Sequence, residues 1–498
     1  MDNSKLAAGF VAIGILEEVQ NQIQQILLSF NEDIVASITA FLAGPIDPAA
    51  AYDFEKRLRD VGGESLRQLV QWAYNKIEPA DPQDVPQRVQ YDRQSYRRKP
   101  KSANCQVATL FGEISLWRFL YEPSERGEKS IHPLEITLGI VARNATPALA
   151  ERVGLLAVGQ TEKETLELLR QDYRVGWSPT TLRKVVAAVR EGMEPLLHEA
   201  QVKQVLFWLQ QADVSRGKNK IVLAVGRDGI FVPIRDEATY KEGSVATVSV
   251  YDRRGKRLGT IYLGRMPEEL QATLSRRLTR LIKDILQRWE GPLPRLAYVT
   301  DAGYHPTQYF EELKQMYHPR RRTQRLQWIW IVDYYHASGY LSKLAEILFD
   351  DERQRHAWTR KMRRWMKEKP NGVFRVLHSA AKYHSELKLS REAEEKYAQA
   401  YNYLNNHRLS MDYCRYRRQG LPIGSGVTEA GCKTVFTQRF KQSGMSWKND
   451  SGQVILDLRT IKLSGVWNDV YRRYLESNTL FSYATRSQFC ESTVTIAA

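Results

Sequence analysis

The stretch IVLAVGRDGIFVPI, Ile221 to Ile234, decides how the rest of the chain is read. Its apolar and β-branched density is that of a strand covered on both faces, yet it carries one carboxylate, Asp228. A charged carboxylate is tolerated in such a place only if it is paired or holds a cation. The question becomes which other acids stand beside it. Two fit: Asp301, at the end of LAYVTDAG, and Glu429, in GSGVTEAGCK.

Outward from that strand, SVATVSVYD (Ser244 to Asp252) and RLGTIYLG (Arg257 to Gly264) flank the polar turn DRRGK, so the three predict an antiparallel meander. Pro267 to Trp289 predicts a long amphipathic helix with Leu270, Leu274, Leu278, Leu281, Ile282 and Ile285 on its buried side. Strand and helix then alternate. Arg295 to Thr300 is a strand ending in Asp301, His305 to Met316 a helix, and Leu326 to Val332 a strand ending in Asp333. This order predicts an α/β fold, a mixed five-stranded sheet with helices on both faces, and it resembles the ribonuclease-H-like arrangement. Ligands collect in the crevice at the strand ends of such a sheet, where Asp228 and Asp301 are expected side by side. Two carboxylates that close repel unless divalent cations sit between them. A third acid is expected from a helix packed on the sheet. The glycines of GSGVTEAG let the chain turn sharply into one, with Glu429 in its first turn, Lys433 one turn on, and Arg439 and Lys441 beyond, the three basic residues being expected to face DNA phosphates. Asp213 also lies near the first strand, but it precedes it in the polar stretch QADVSRGKNK and is set aside.

At 498 residues and 43% hydrophobic, the chain is long and apolar enough for several domains with cores of their own. A net charge of +16 points to a polyanionic partner, since excess Lys and Arg gain free energy by releasing counterions from a phosphate backbone. No apolar run is read as reaching the ~20 residues that span a bilayer. LAAGFVAIGIL, Leu6 to Leu16, has the look of a signal segment, but Glu17 and Glu18 stand where a cleavage site belongs, so it is read as helix. Cys105, Cys414, Cys432 and Cys490 show no paired metal spacing and fit a reducing cytoplasm.

Ahead of the sheet, residues 1–100 read as a helical region, with Val19, Ile23, Ile26, Leu27 and Phe30 at helical spacing and Asp33 to Ala43 continuing in the same manner. EPADPQDVPQ breaks the pattern. The basic run YDRQSYRRKPK, Tyr91 to Lys101, reads either as a segment lying along a phosphate backbone or as a solvated linker. Residues 101–203 are expected to hold a β-hairpin, Gln106 to Tyr121 broken at Gly112, and a helical DNA-binding domain. Thr161 and Glu164 form a capping-box pattern, and Ser178 and Pro179 open SPTTLRKVVAAVREGM. Two helices with a turn between them match a helix-turn-helix, which would present Thr180, Thr181, Arg183 and Lys184 to DNA. Any helical hairpin on a basic protein has the same look.

Asp228 in RDG, Asp301 in TDAG, DYYHA from Asp333 to Ala337, and GSGVTEAGCKTVFTQRFKQSGMSW from Gly424 to Trp447 together resemble the DDE transposases of bacterial insertion sequences, above all the ISKra-like group. The resemblance covers the larger, C-terminal part of the chain. It implies a first part of a ribonuclease-H-like catalytic domain at 204–337, a helical insertion at 338–420, and the catalytic helix and C-terminal tail at 421–498. It also implies that the protein works in the bacterial cytoplasm on the nucleoid, with double-stranded DNA, both element ends and target, as partner. A homodimer or higher oligomer on DNA is expected, because two ends must be brought together.

Asp333 and His336, in a D-x-x-H spacing, rank after the three acids. They read either as metal-, leaving-group- or base-handling residues, or as a helix cap and a histidine bonded to backbone. The expected chemistry is two-metal catalysis by Mg²⁺, with Mn²⁺ able to substitute, the ions held by Asp228, Asp301 and Glu429. Two rivals share most of these features: a ribonuclease-H-like nuclease that cuts without joining, and a DNA-binding regulator without catalysis.

Overall fold

A computed structural model describes residues 3–78, 81–124, 129–235 and 239–477, with side chains from residue 17 onward apart from Pro82. Cys490 lies outside the described residues. Packing divides the chain into two units, Met1–Gly192 with Tyr471–Ala498, and Met193–Val470.

The first unit opens with helices α1 (Asn3–Ala43) and α2 (Pro48–Asn75). Asp47 accepts from the Ala50 amide at 2.8 Å and Pro48 stands at the first helical position, so the second helix starts where its cap and its fixed φ both favour it. The two run antiparallel, with Phe41 stacked on Phe54 at 4.4 Å near the turn and Lys76 paired with Glu18 at the far end. Glu17–Ala43 of α1 is long and apolar enough to cross a membrane by length and composition, which corrects the reading that no stretch reaches that length, and only 11% of its most apolar window is buried. The window passes because Ile, Leu, Val, Phe and Ala outweigh the polar residues, Glu32 and Asp33 among them, that interrupt the apolar run.

Strands β1 (Arg88–Tyr91), β2 (Gln94–Thr109) and β3 (Gly112–Pro123) form an antiparallel sheet in that order. The basic run from Tyr91 to Lys101 is therefore strand and turn rather than linker. Asp92 and Arg93, both at positive φ (48° and 65°), make the two-residue hairpin between Tyr91 and Gln94. Gly112 (φ 125°) closes the predicted second hairpin. The outer edge of β3 is satisfied by side chains of α2: Gln71 accepts from the Ser115 amide (2.8 Å), and Asn75 both accepts from the Trp117 amide (2.8 Å) and donates to the Ser115 carbonyl (2.9 Å). Then come α3 (Pro133–Thr137), α4 (Pro147–Gly159), α5 (Glu162–Tyr173) and α6 (Pro179–Asp213). The capping box of Thr161 and Glu164 is present, and the Thr181 amide donates to Ser178 Oγ. The sequence reading stopped the last helix at Met193; it runs on to Asp213 through Pro195. Buried Ala200, Val205, Leu209 and Ala212 continue its apolar spacing, and that packing outweighs the one hydrogen bond that proline removes.

The second unit is built on a five-stranded sheet: β4 (Val222–Ile234), β5 (Thr239–Tyr251), β6 (Arg257–Arg265), β7 (Arg295–Thr300) and β8 (Trp328–Val332), in the spatial order β6-β5-β4-β7-β8. The first three pair antiparallel and β4-β7-β8 parallel, as the order of elements predicts. Helix α7 (Ala272–Arg288) buries Leu274, Leu278, Leu281, Ile282, Ile285 and Leu286. Leu270 was expected on that face; it lies instead in a short turn before the helix, at φ 51° and 67% exposed. Helix α8 (Tyr304–Lys314) joins α7 on one face of the sheet, where Tyr309 stacks over buried Arg227. The other face is covered by α9 (Tyr334–Leu348), with α10 (Glu352–Glu368), α11 (Gly372–Ser385), α12 (Arg391–Asn406) and α13 (Tyr413–Arg418) extending one core outward from Val222, Ala224, Ala297 and Ile331. A second core on that face joins Val232, Ile234 and Val245 to Phe436, Phe440 and Leu456. It carries α14 (Gly426–Gly431), a π turn at Cys432–Thr437, α15 (Gln438–Phe440) and α16 (Asn449–Leu463). Trp447 bridges back to β4 beside Ile234, and α17 (Trp467–Ser477) follows.

Candidate active site

The register of the parallel strands puts three acids in one row. Gly226 of β4 pairs with Val299 of β7, and Thr300 of β7 with Val332 of β8. Carried to the strand ends, those pairings set Asp228, Asp301 and Asp333 abreast on neighbouring strands, which lie ~4.8 Å apart. Beyond this row β4 continues with β5 alone, so Asp228 stands where the strand loses its parallel neighbour.

Each acid is held by local backbone geometry. Asp228 Oδ1 accepts from the Gly229 amide (2.8 Å), and Oδ2 accepts from the Cys432 thiol (3.4 Å). Asp301 Oδ1 accepts from the Gly303 amide (2.9 Å) across Ala302, whose φ of 66° places a non-glycine residue in the left-handed region at the tip of the turn. Asp333 is fully buried and caps α9, accepting from the Tyr335 amide at 2.8 Å.

Glu429 arrives from α14, and a missing side chain lets it approach. A Cβ at Gly226 would lie 2.0 Å from Thr428 Oγ1, and Thr428 is hydrogen bonded to Thr247 of β5 at 2.8 Å, so the first turn of α14 rests on bare strand backbone. The Ser425 hydroxyl then lies 2.7 Å from both Asp333 Oδ2 and Glu429 Oε1. A hydroxyl has one proton to donate, so it bridges the two carboxylates while serving one of them at a time.

The electrostatics follow from four acids in one place. Burial, then the charge of Asp301, push the Asp228 carboxyl up to about 6, against the hydrogen bonds from Cys432 and Gly229, with Glu429 adding to the rise. The hydrogen bond shared with Asp333, then burial, raise Glu429, while the Ser425 hydroxyl and Lys433 pull it back. Burial beside Asp228 raises the Cys432 thiol well above its ordinary value.

Like charges facing one another across oxygen ligands fit a hard divalent cation. Among the described residues no set of three or more His, Cys, Asp or Glu side chains forms a ready-made cage. A small cation that keeps several of its waters needs only one or two carboxylates from the protein, so the donor set fits Mg²⁺.

The remaining predicted site residues divide. His336 is exposed, its ring against Tyr340 and against Tyr403, whose hydroxyl donates to the Asp301 carbonyl at 2.8 Å. Asp333 takes the capping role and also reaches Glu429 through Ser425. Thr180 and Lys184 are exposed on the first turns of α6, Thr181 is bonded to Ser178, and Arg183 is held by Glu162 at 2.6 Å. Lys433 and Lys441 are exposed. Arg439 is corrected from a phosphate-facing residue to a core one: it is 4% exposed, lying over the Trp447 ring at 4.9 Å. The π turn ahead of it takes an extra residue per turn and changes the face that later residues present. Asp213, set aside above, pairs with Arg253 at 2.7 Å. Ser425 and Cys432 were missed; each sits three or four residues from Glu429 in the glycine-rich motif, the spacing that puts helix residues on one face. Among known proteins, no family model matches the chain, and no curated protein matches it.

Proposed function

We propose that the protein is a DNA transposase with a ribonuclease-H-like core, binding the ends of a mobile element, cleaving phosphodiester bonds there and joining the freed 3′-OH ends to target DNA. The observation that carries this reading is the row of Asp228, Asp301 and Asp333 on three adjacent strand ends, with Glu429 brought over it by α14.

Asp228, Asp301 and Glu429 would hold two Mg²⁺ ions, which when bound supply Lewis acidity for an attacking oxygen and charge stabilisation for a departing one. The chain's own residues do the positioning. Strand register sets the spacing of Asp228 and Asp301, and the Cys432 thiol and Gly229 amide fix the orientation of the Asp228 carboxylate. Ser425 and buried Asp333 orient Glu429. Exposed Lys433, one turn on, would meet a phosphate oxygen. One site serves both steps, water attacking first and the freed 3′-OH second, with no covalent enzyme intermediate.

The test is incubation of the full chain with its own element ends and Mg²⁺. Replacing Asp228, Asp301 or Glu429 by Ala is expected to lower cleavage on the order of 10³-fold while duplex binding is retained. Cleavage without joining of pre-cut ends assigns the protein to nucleases. Activity unchanged by Asp301→Ala removes the catalytic reading altogether.

A further inference from the structure

Helix α1 carries two apolar stripes. One, through Ile26, Phe30, Ile34 and Phe41, faces α2, with Ile26 buried and Phe41 stacked on Phe54. The other is open. Leu28, Val35 and Leu42 recur every seventh residue with Asn31 and Ile38 between them, and Leu28 (64%), Val35 (53%), Ile38 (40%) and Leu42 (65%) are exposed along one side, with Leu27 and Ile23 beside them. A three-four alternation of this kind is the seam of a coiled coil.

We propose that this stripe is where a second copy of the chain docks, α1 against α1 about a two-fold axis. The inference rests on α1 alone and is independent of the chemistry proposed above. The area is sufficient: the exposed side chains offer roughly 600 Å² per copy, which doubles to about the lower bound of a specific interface. Asn31 in the seam is a residue that sets register between paired helices at some cost in stability. A lipid surface is the competing occupant, since the helix passes on length and composition. Its neighbour argues against that. α1 is joined along its length to α2, whose Asp53, Lys56, Arg57, Asp60 and Glu64 would enter the bilayer with it, and Arg57 is hydrogen bonded to Ser37 of α1 at 2.9 Å. A self-complementary stripe closes on itself in a dimer and leaves no apolar face over.

Light scattering of the full-length protein without DNA decides it. The expected mass is twice the 57.5 kDa of one chain at about 10 µM, falling twofold for the double variant Leu28→Glu, Leu42→Glu. A second variant covers failure of that one to fold. Val35 is the midpoint of the stripe and lies near its counterpart in either helix direction, so Val35→Cys is expected to give a disulfide-linked pair under mild oxidation, which the wild-type chain does not. A wild-type chain that stays at monomer mass, a folded double variant that stays dimeric, or a Val35→Cys chain that does not cross-link overturns the proposal. So does co-sedimentation of the wild type, but not the double variant, with phosphatidylcholine–phosphatidylglycerol vesicles, which assigns the stripe to lipid.

Discussion

Folding moves the titration of the Asp228 carboxyl toward neutral pH, by burial first and by the charge of Asp301 second. The Asp228 carboxyl is raised from 3.8 to about 6 in the folded chain, so between those values the folded state binds the proton more tightly than the unfolded one. The stability this contributes is present below about pH 4 and is lost as pH rises through about 6, a ceiling of roughly 3 kcal/mol for a shift of that size. Asp228→Asn is therefore expected to melt a few degrees above the wild type at pH 7 to 8 without divalent cation, and level with it at pH 4. Added Mg²⁺ is expected to raise the melting temperature of the wild type and not of the variant. Melting curves across pH, with and without Mg²⁺, check both. A wild type more stable than the variant at pH 8 in metal-free buffer would falsify the account of an Asp228 carboxyl raised by burial and by the charge of Asp301.

Elements set the distances. The approach of α14 to the sheet depends on Gly226 having no side chain, since the 2.0 Å from a Cβ to Thr428 Oγ1 leaves no room for a methyl. Gly226→Ala is expected to push α14 outward, costing about 1–3 kcal/mol of stability by overpacking and most of the cleavage activity, with duplex binding kept. Activity and melting temperature near wild type would show that the helix has slack that the structure does not give it. The same scale explains two departures from sequence expectation. Arg439 turns inward because a π turn precedes it, and α6 outlasts its proline because its apolar face keeps finding partners. Periodicity marked the helices, but a one-residue insertion in a turn leaves no signature in composition.

At the scale of the whole molecule, a net charge of +16 is large enough to set how binding responds to salt. With a handful of phosphates neutralised, affinity for duplex DNA is expected to fall by on the order of 10³ between 50 and 200 mM salt, as measured by fluorescence anisotropy on a labelled duplex. A flat salt response would remove the polyanion from the functional reading. Order along the chain was legible for local reasons. Alternating and 3.6-residue patterns are written in neighbouring residues, and they yielded the strand and helix sequence of the sheet unit, the capping box at Thr161 and Glu164, and the three acids Asp228, Asp301 and Glu429 as candidates. Tertiary structure alone decided that Ser425 links Asp333 to Glu429, that Cys432 donates to Asp228, and that Arg439 is core. Those facts depend on strand register and on contacts between residues as much as 204 positions apart, and no local pattern carries the distance between two segments that meet only when the sheet has formed.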